Sequence, residues 1–226
     1  MNKTKIPWCD YTINPVKGLC LMACPYCYAR KMYKRFKWPE EISFHSESLD
    51  FLNFVPAGSR VFVGSTIDLF HKDTIQYLPE IKARVRLHPS KTFIFLTKCP
   101  QNLPHEWPDN CWVGVSATDF EMYGVAGIYL PDIKARVKFL SFEPLLARIT
   151  DKNAQYNSEM MAHDLKFAGI NWLILGSRTQ PTQHPSREWV EEIITAADKA
   201  KIPVFVKEPM ASHFNIHRQE WPIEKE

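Results

Sequence analysis

No apolar run in this 226-residue chain approaches the length that spans a bilayer. The opening residues, Met1-Asn2-Lys3-Thr4-Lys5-Ile6-Pro7-Trp8, lack the apolar core of a signal peptide. A cytoplasmic location without membrane contact is therefore expected, and there thiols stay reduced. Neither sign of charge dominates. The net charge of +3 permits an anionic partner without demanding one. Cysteine is thinly spread: of six, three are dispersed and none forms a second close pair. A structural zinc site usually takes two Cys pairs, or a Cys pair and a His pair. Here the nearest histidine to the close-set cysteines is His45, well down the chain. A disulfide framework suits small secreted domains, and this chain is neither. No linker or break in composition divides it, so residues 1–226 are expected to form one domain around a sizeable core.

What the sequence does hold is Cys20, Cys24 and Cys27, a C-x3-C-x2-C spacing within eight residues. Three thiolates from one loop can bind three irons of a cubic iron–sulfur cluster. The fourth iron is then open to a small molecule.

The rest of the chain reads as alternating strands and helices. Short β-branched and aromatic runs predict strands over 12–16, 60–64, 92–98, 111–116, 137–144, 171–176 and 202–207. Helices are expected over 28–36, 74–88 with a restart near Pro79, 156–167, and 187–200 behind Ser186 as N-cap. The last should bury Trp189, Ile193 and Ala197. The segment 78–86 echoes 130–138, as repeated helix–strand modules would. No fold is assigned to the tail from Ala211. Continuous apolar strands between helices imply an α/β fold with a parallel sheet, and seven strands suggest an incomplete (β/α) barrel. Such folds place chemistry at the C-terminal ends of their strands. Those ends carry Asn14, the loop from Ser65 to Asp68, Lys98, Ser116, Glu143, Ser177 with Arg178, and Lys207. The helix over 28–36 is rich in Lys and Arg, which fits a solvated face or a basic edge for a phosphate-bearing substrate.

The cysteine loop, with Tyr26 just before its last cysteine, resembles the signature of radical S-adenosylmethionine enzymes. Further matches are Asn14-Pro15-Val16, Asp68-Leu69-Phe70-His71, Leu96-Thr97-Lys98, Gly114-Val115-Ser116, the run Phe139-Leu140-Ser141-Phe142-Glu143-Pro144-Leu145-Leu146, and Lys207. Together they resemble a phage-associated radical-SAM-like family of unassigned function. The resemblance implies a partial (β/α) barrel of the incomplete TIM type. It implies that Cys20, Cys24 and Cys27 hold a 4Fe-4S cluster whose open iron binds S-adenosylmethionine, with Tyr26 beside the adenine. Many members carry Gly-Gly-Glu after the second strand, to receive the cofactor's amino group. This chain has Gly64-Ser65-Thr66 there, leaving Ser65, Thr66 and Asp68 as candidates. Lys98 stands among the cofactor-binding candidates, and Ser116 and Thr118 are candidates for the ribose hydroxyls. Glu143 and Lys207 are candidates for cofactor or substrate contact and for the catalytic set. Cys99 is a candidate hydrogen donor, although a plain buried or loop cysteine is the simpler reading, as for Cys9 and Cys111. The expected partners are a low-potential electron donor of flavodoxin or ferredoxin type and an unidentified substrate, for which a nucleotide or nucleic-acid base fits the basic helix. A non-catalytic iron–sulfur or zinc protein is the alternative.

Overall fold

The computed structural model describes residues 2–151 and 156–222. The chain divides into two compact units, Met1–Val113 and Gly114–Glu226.

In chain order the first unit carries β1 (Asn2–Lys3), β2 (Tyr11–Ile13), β3 (Val16–Lys17), α1 (Tyr28–Phe36), β4 (Ser43–Phe44), β5 (Arg60–Val63), α2 (Leu78–Arg86) and β6 (Thr92–Thr97). β2, β5 and β6 pair in parallel, with Thr12 beside Phe62 and Val61 beside Phe93. β1 adds an antiparallel edge to β2, and β3 pairs with β4 in a separate ribbon. Val61, Phe93, Ile94 and Phe95 are fully enclosed, which is why these strands read as unbroken apolar runs rather than alternating ones. α2 turns Leu78, Ile81 and Val85 inward. Pro79 sits in its first turn, where a missing N–H costs nothing, and a separate 3-10 turn over Ile75–Tyr77 precedes it. The expected restart at this proline is thus present.

β7 (Cys111–Ser116) runs across the boundary between the units. The second unit then carries α3 (Phe120–Tyr129), β8 (Val137–Phe142), α4 (Ser158–Phe167), β9 (Trp172–Leu175), α5 (Arg187–Ala200), β10 (Val204–Val206) and α6 (Met210–Phe214). β8, β9 and β10 pair in parallel, Leu140 beside Leu173 and Phe205 beside Ile174. α4 packs on α5. Parallel strands alternating with helices make this an α/β fold, as expected.

Several expectations change. The first strand ends at Ile13, and Val16 belongs to the small ribbon instead. The echoed segments do not repeat a structure: 78–86 is a helix, whereas 130–138 opens with one 3-10 turn, Leu130–Asp132, and runs into β8. The helix between β7 and β8 is α3, whose apolar, glycine-containing sequence hides its start. Asp119 caps it, its carboxylate accepting from Met122 N at 2.9 Å. The tail also has structure: after α6, Val206 N donates to Arg218 O at 2.7 Å and Glu220 N to Val204 O at 3.1 Å, covering the edge of β10. On α5 the buried stripe is Val190, Ile193, Ala196 and Ala197, so Val190 takes the place expected of Trp189. Among the described residues no helix is long and apolar enough to cross a membrane.

Candidate functional site

In the first unit the cysteine loop is closed by main-chain turns and tied down at both ends. Ala23 N donates to Cys20 O at 3.4 Å and Cys27 N to Cys24 O at 3.1 Å. At its entrance Gly18 N donates to the Tyr33 hydroxyl at 2.8 Å. Gly18 has φ +123°, and a Cβ there would lie 2.7 Å from Glu41 O, so only glycine fits. The Arg30 guanidinium reaches back from α1 to Cys20 O at 2.8 Å. Cys27 is the N-cap of α1 and makes no side-chain capping bond. The helix start therefore offers unspent N–H groups and a positive dipole end to an anionic sulfur. All three thiols are half-buried. Burial pushes the Cys20 thiol up, and the main-chain N–H groups of Asp68 and Met22 pull against that.

Around this loop the strand ends converge as the C-terminal-end rule predicts. Asn14, directly after β2, exchanges hydrogen bonds with the Ser65 hydroxyl at 3.1 and 3.2 Å and accepts from Thr66 N at 3.3 Å. The Tyr28 hydroxyl donates to Ser65 O at 2.6 Å. The Gly64-Ser65-Thr66 segment is thereby fixed from two sides. Gly64 has φ +80°, and a Cβ there would press on Leu69 at 2.7 Å. Asp68 is spent on the scaffold: its carboxylate accepts from the Thr97 hydroxyl at 2.7 Å, Lys98 N at 2.8 Å and Phe70 N at 3.0 Å. It ties the end of β6 to the segment that follows β5. The Lys98 ammonium stands 5.9 Å from the centre of the Tyr26 ring. Cys99 is buried with its sulfur 3.4 Å from Met22 Sδ. Its thiol is pushed up to about 11, by burial first and then by the charges of Asp68 and Cys20.

The second unit brings together its own set. Lys207, after β10, forms an ion pair with Glu143, after β8, spanning the end of β9. Gly176 makes room for it, since a Cβ there would meet Glu143 Cγ at 2.9 Å. Ser177 follows, its hydroxyl 2.8 Å from His184 Nδ1. His184 lies flat on His213, the ring centres 3.8 Å apart. Burial and that neighbour hold His184 below the usual histidine range. Among the described residues, Ser141 Oγ and Arg178 Nε are buried without a hydrogen-bond partner. The expected ribose ligands are enclosed: Ser116 is 1% and Thr118 3% exposed. The Thr118 hydroxyl is directed to Asp119 at 3.0 Å and Met122 at 3.2 Å. Neither side chain presents an accessible hydroxyl.

The model of one family matches residues 3–215, nearly the whole chain. This chain belongs to the family described as protein of unknown function (DUF5131). No curated protein and no solved structure matches it. The DUF5131 match takes in the cysteine loop, every strand end described above and α6, and stops short of the segment that pairs with β10.

Sequence reasoning missed Tyr28, Met22, His184 and His213. Tyr28 carried a signal, since it follows Cys27 directly at the start of a helix. The histidines carried none, because the eleven-residue loop 176–186 and a helix outside the strand pattern bring them together.

The three close-set cysteines place their thiols on one turn-closed loop. Among the described residues no three His, Cys, Asp or Glu side chains close on a single point that would hold one ion. A cube binds each thiolate at a different iron, so its three sulfurs stand further apart than ligands of one ion.

Proposed function

We propose that this protein is a radical S-adenosylmethionine enzyme, in which Cys20, Cys24 and Cys27 hold a 4Fe-4S cluster. What carries the proposal is the loop itself. It presents three thiols from one short segment, the last at an uncapped helix start, and the polar ends of β2, β5 and β6 gather around it. When bound, the cluster and S-adenosylmethionine supply a reductively generated 5′-deoxyadenosyl radical able to abstract hydrogen from a substrate.

The chain's own residues bind and orient. Asn14 and Tyr28 hold the 64–66 segment in one conformation by engaging the Ser65 hydroxyl, Ser65 O and Thr66 N, which leaves the Thr66 hydroxyl to meet a zwitterion. Tyr26 gives a flat face for an adenine, and Lys98 beside it adds a positive charge suited to a carboxylate. Asp68 fixes the main chain at Lys98. Cys99 keeps its proton at neutral pH and is the hydrogen-donor candidate. Glu143 and Lys207 form a charged pair for cofactor or substrate. The α/β order is read as the incomplete (β/α) barrel of this superfamily. The electron comes from a flavodoxin- or ferredoxin-type donor, in keeping with a cytoplasmic setting.

Anaerobic reconstitution tests this. The expected result is about four irons and four sulfides per chain, with 5′-deoxyadenosine formed on adding dithionite and S-adenosylmethionine. Substitution of any one of Cys20, Cys24 and Cys27 by Ala should abolish both. A loaded cluster whose EPR spectrum ignores S-adenosylmethionine would refute the catalytic reading in favour of a cluster-binding protein. Zinc in anaerobically purified material would refute the cluster.

A further inference from the structure

Residues 17–39 hold six cationic side chains, Lys17, Arg30, Lys31, Lys34, Arg35 and Lys37, and no carboxylate. Arg30 is committed to Cys20 O. Lys31, Lys34, Arg35 and Lys37 are exposed on and just beyond α1. Between them stand two aromatic rings that the fold leaves in water: Phe36 is 51% and Trp38 41% exposed. The rings stack on each other, with centres 5.3 Å apart and planes 23° apart. The Arg35 guanidinium lies 5.3 Å from the Phe36 centre. The edge of the buried Tyr33 ring braces Trp38 from behind, and the Trp38 main-chain N–H donates to Tyr33 O at 3.2 Å. The rings therefore form a fixed platform rather than two loose side chains.

We propose that α1 and the turn after it form a docking surface for single-stranded nucleic acid. This deepens the reading above by naming the substrate class, and rests on that reading only for what happens to the strand afterwards. Successive bases stack on exposed aromatic faces whatever their identity, and flanking Lys and Arg follow the phosphates. The surface offers both groups and little else. An anionic bilayer would want an aliphatic face, but residues 28–38 contain no Leu, Ile or Val, and the inward face of α1 is already used by Ala29 and Tyr33. Nine helical residues are about 13 Å long, so a strand lying along α1 ends beside Cys27, at the helix start.

The test is fluorescence anisotropy on the full chain, kept anaerobic, with a labelled single-stranded oligonucleotide, its duplex, and phosphatidylserine vesicles, each over a salt series. The single strand should bind more tightly than the duplex. Phe36→Ala with Trp38→Ala should weaken binding about tenfold or more with the salt slope unchanged. Lys34→Gln with Arg35→Gln, which leaves the core untouched, should lower the slope of log Kd against log salt by about 0.7 per charge removed. The proposal is overturned by duplex binding equal to that of the single strand, by affinity that ignores salt or survives the charge pair, or by vesicle binding without oligonucleotide binding. Absence of 5′-deoxyadenosine with strand binding intact would refute the catalytic reading and leave this surface standing. Cofactor cleavage without strand binding would remove the surface alone.

Discussion

Replacing Asp68 separates its role as a brace from any role as a ligand. Its two carboxylate oxygens receive three donors, of which two are main-chain N–H groups, from Phe70 and Lys98, and the third is the Thr97 hydroxyl. Asn is almost the same size but has only one acceptor atom. With its NH2 toward Lys98 N, two donors face each other; flipped, the NH2 faces Phe70 N instead. Thr97 can rotate its hydroxyl to suit either choice, but a main-chain N–H cannot. One half-buried donor is therefore stranded in every orientation, at a cost of about 2 kcal/mol. In a chain of this length that lowers Tm by roughly 4–8 °C. Asp68→Ala strands all three donors, but water reaches part of the gap, so the loss should be about 3 kcal/mol.

A second readout tests the electrostatics. Burial and then the Asp68 charge hold the Cys99 thiol up at about 11. Asp68→Asn removes the second cause and leaves the first, so site-resolved alkylation of Cys99 should speed up while remaining slow beside an exposed cysteine. The reasoning fails if Asp68→Asn melts within about 2 °C of the parent, or if Cys99 reacts more slowly.

Two further perturbations discriminate sharply. Gly114→Ala places a Cβ 2.3 Å from the ring of the fully buried Phe139, so it should cost about 3 kcal/mol in chemical denaturation, whereas Gly124→Ala on α3 meets nothing within 4 Å and should be neutral or stabilising by up to about 1 kcal/mol. Burial raises the Asp10 carboxyl, but the hydrogen bonds and charge of Arg60 outweigh it and hold the group below its ordinary 3.8. The stability this gives is present above 3.8 and is lost as pH falls through the lowered value. Asp10→Asn should therefore cost at most about 1 kcal/mol at neutral pH, with the difference from the parent closing under acid; a gap that widens there would contradict it.

The parallel strands were legible because enclosure on both faces leaves a run such as Thr92–Thr97 almost free of polar residues. α1 was legible to the residue, since Cys27 and Pro25 end the loop and Pro39 stops the continuation. α3 was not. Its two glycines and its nearly uniform apolar sequence disguise a helix set by one capping carboxylate and by the walls around it. The tail was opaque for a different reason: its order comes from main-chain bonds to β10 and from Glu220 accepting Val204 N at 2.8 Å, contacts without local periodicity. The strand-end rule found most of the polar residues at both candidate sets. It could not say which of them are free to act, because that depends on partners drawn from distant segments.

Those partners sort the candidates. Asp68 and Thr118 look alike in sequence, polar residues just past a strand, and both are consumed: one binds the β6 end, the other turns into the start of α3. Glu143 and Lys207 satisfy each other, and a charge pair of this kind opens only for a ligand that replaces one partner's bond. Lys98 differs, its ammonium standing 5.9 Å from the centre of the Tyr26 ring. A contact at that distance gives little and is easily exchanged. Substitution of Lys98 should thus leave stability nearly unchanged while altering any ligand's affinity, whereas substitution of Asp68 should lower both. That contrast divides the residues that build the loop's surroundings from those that remain to be used.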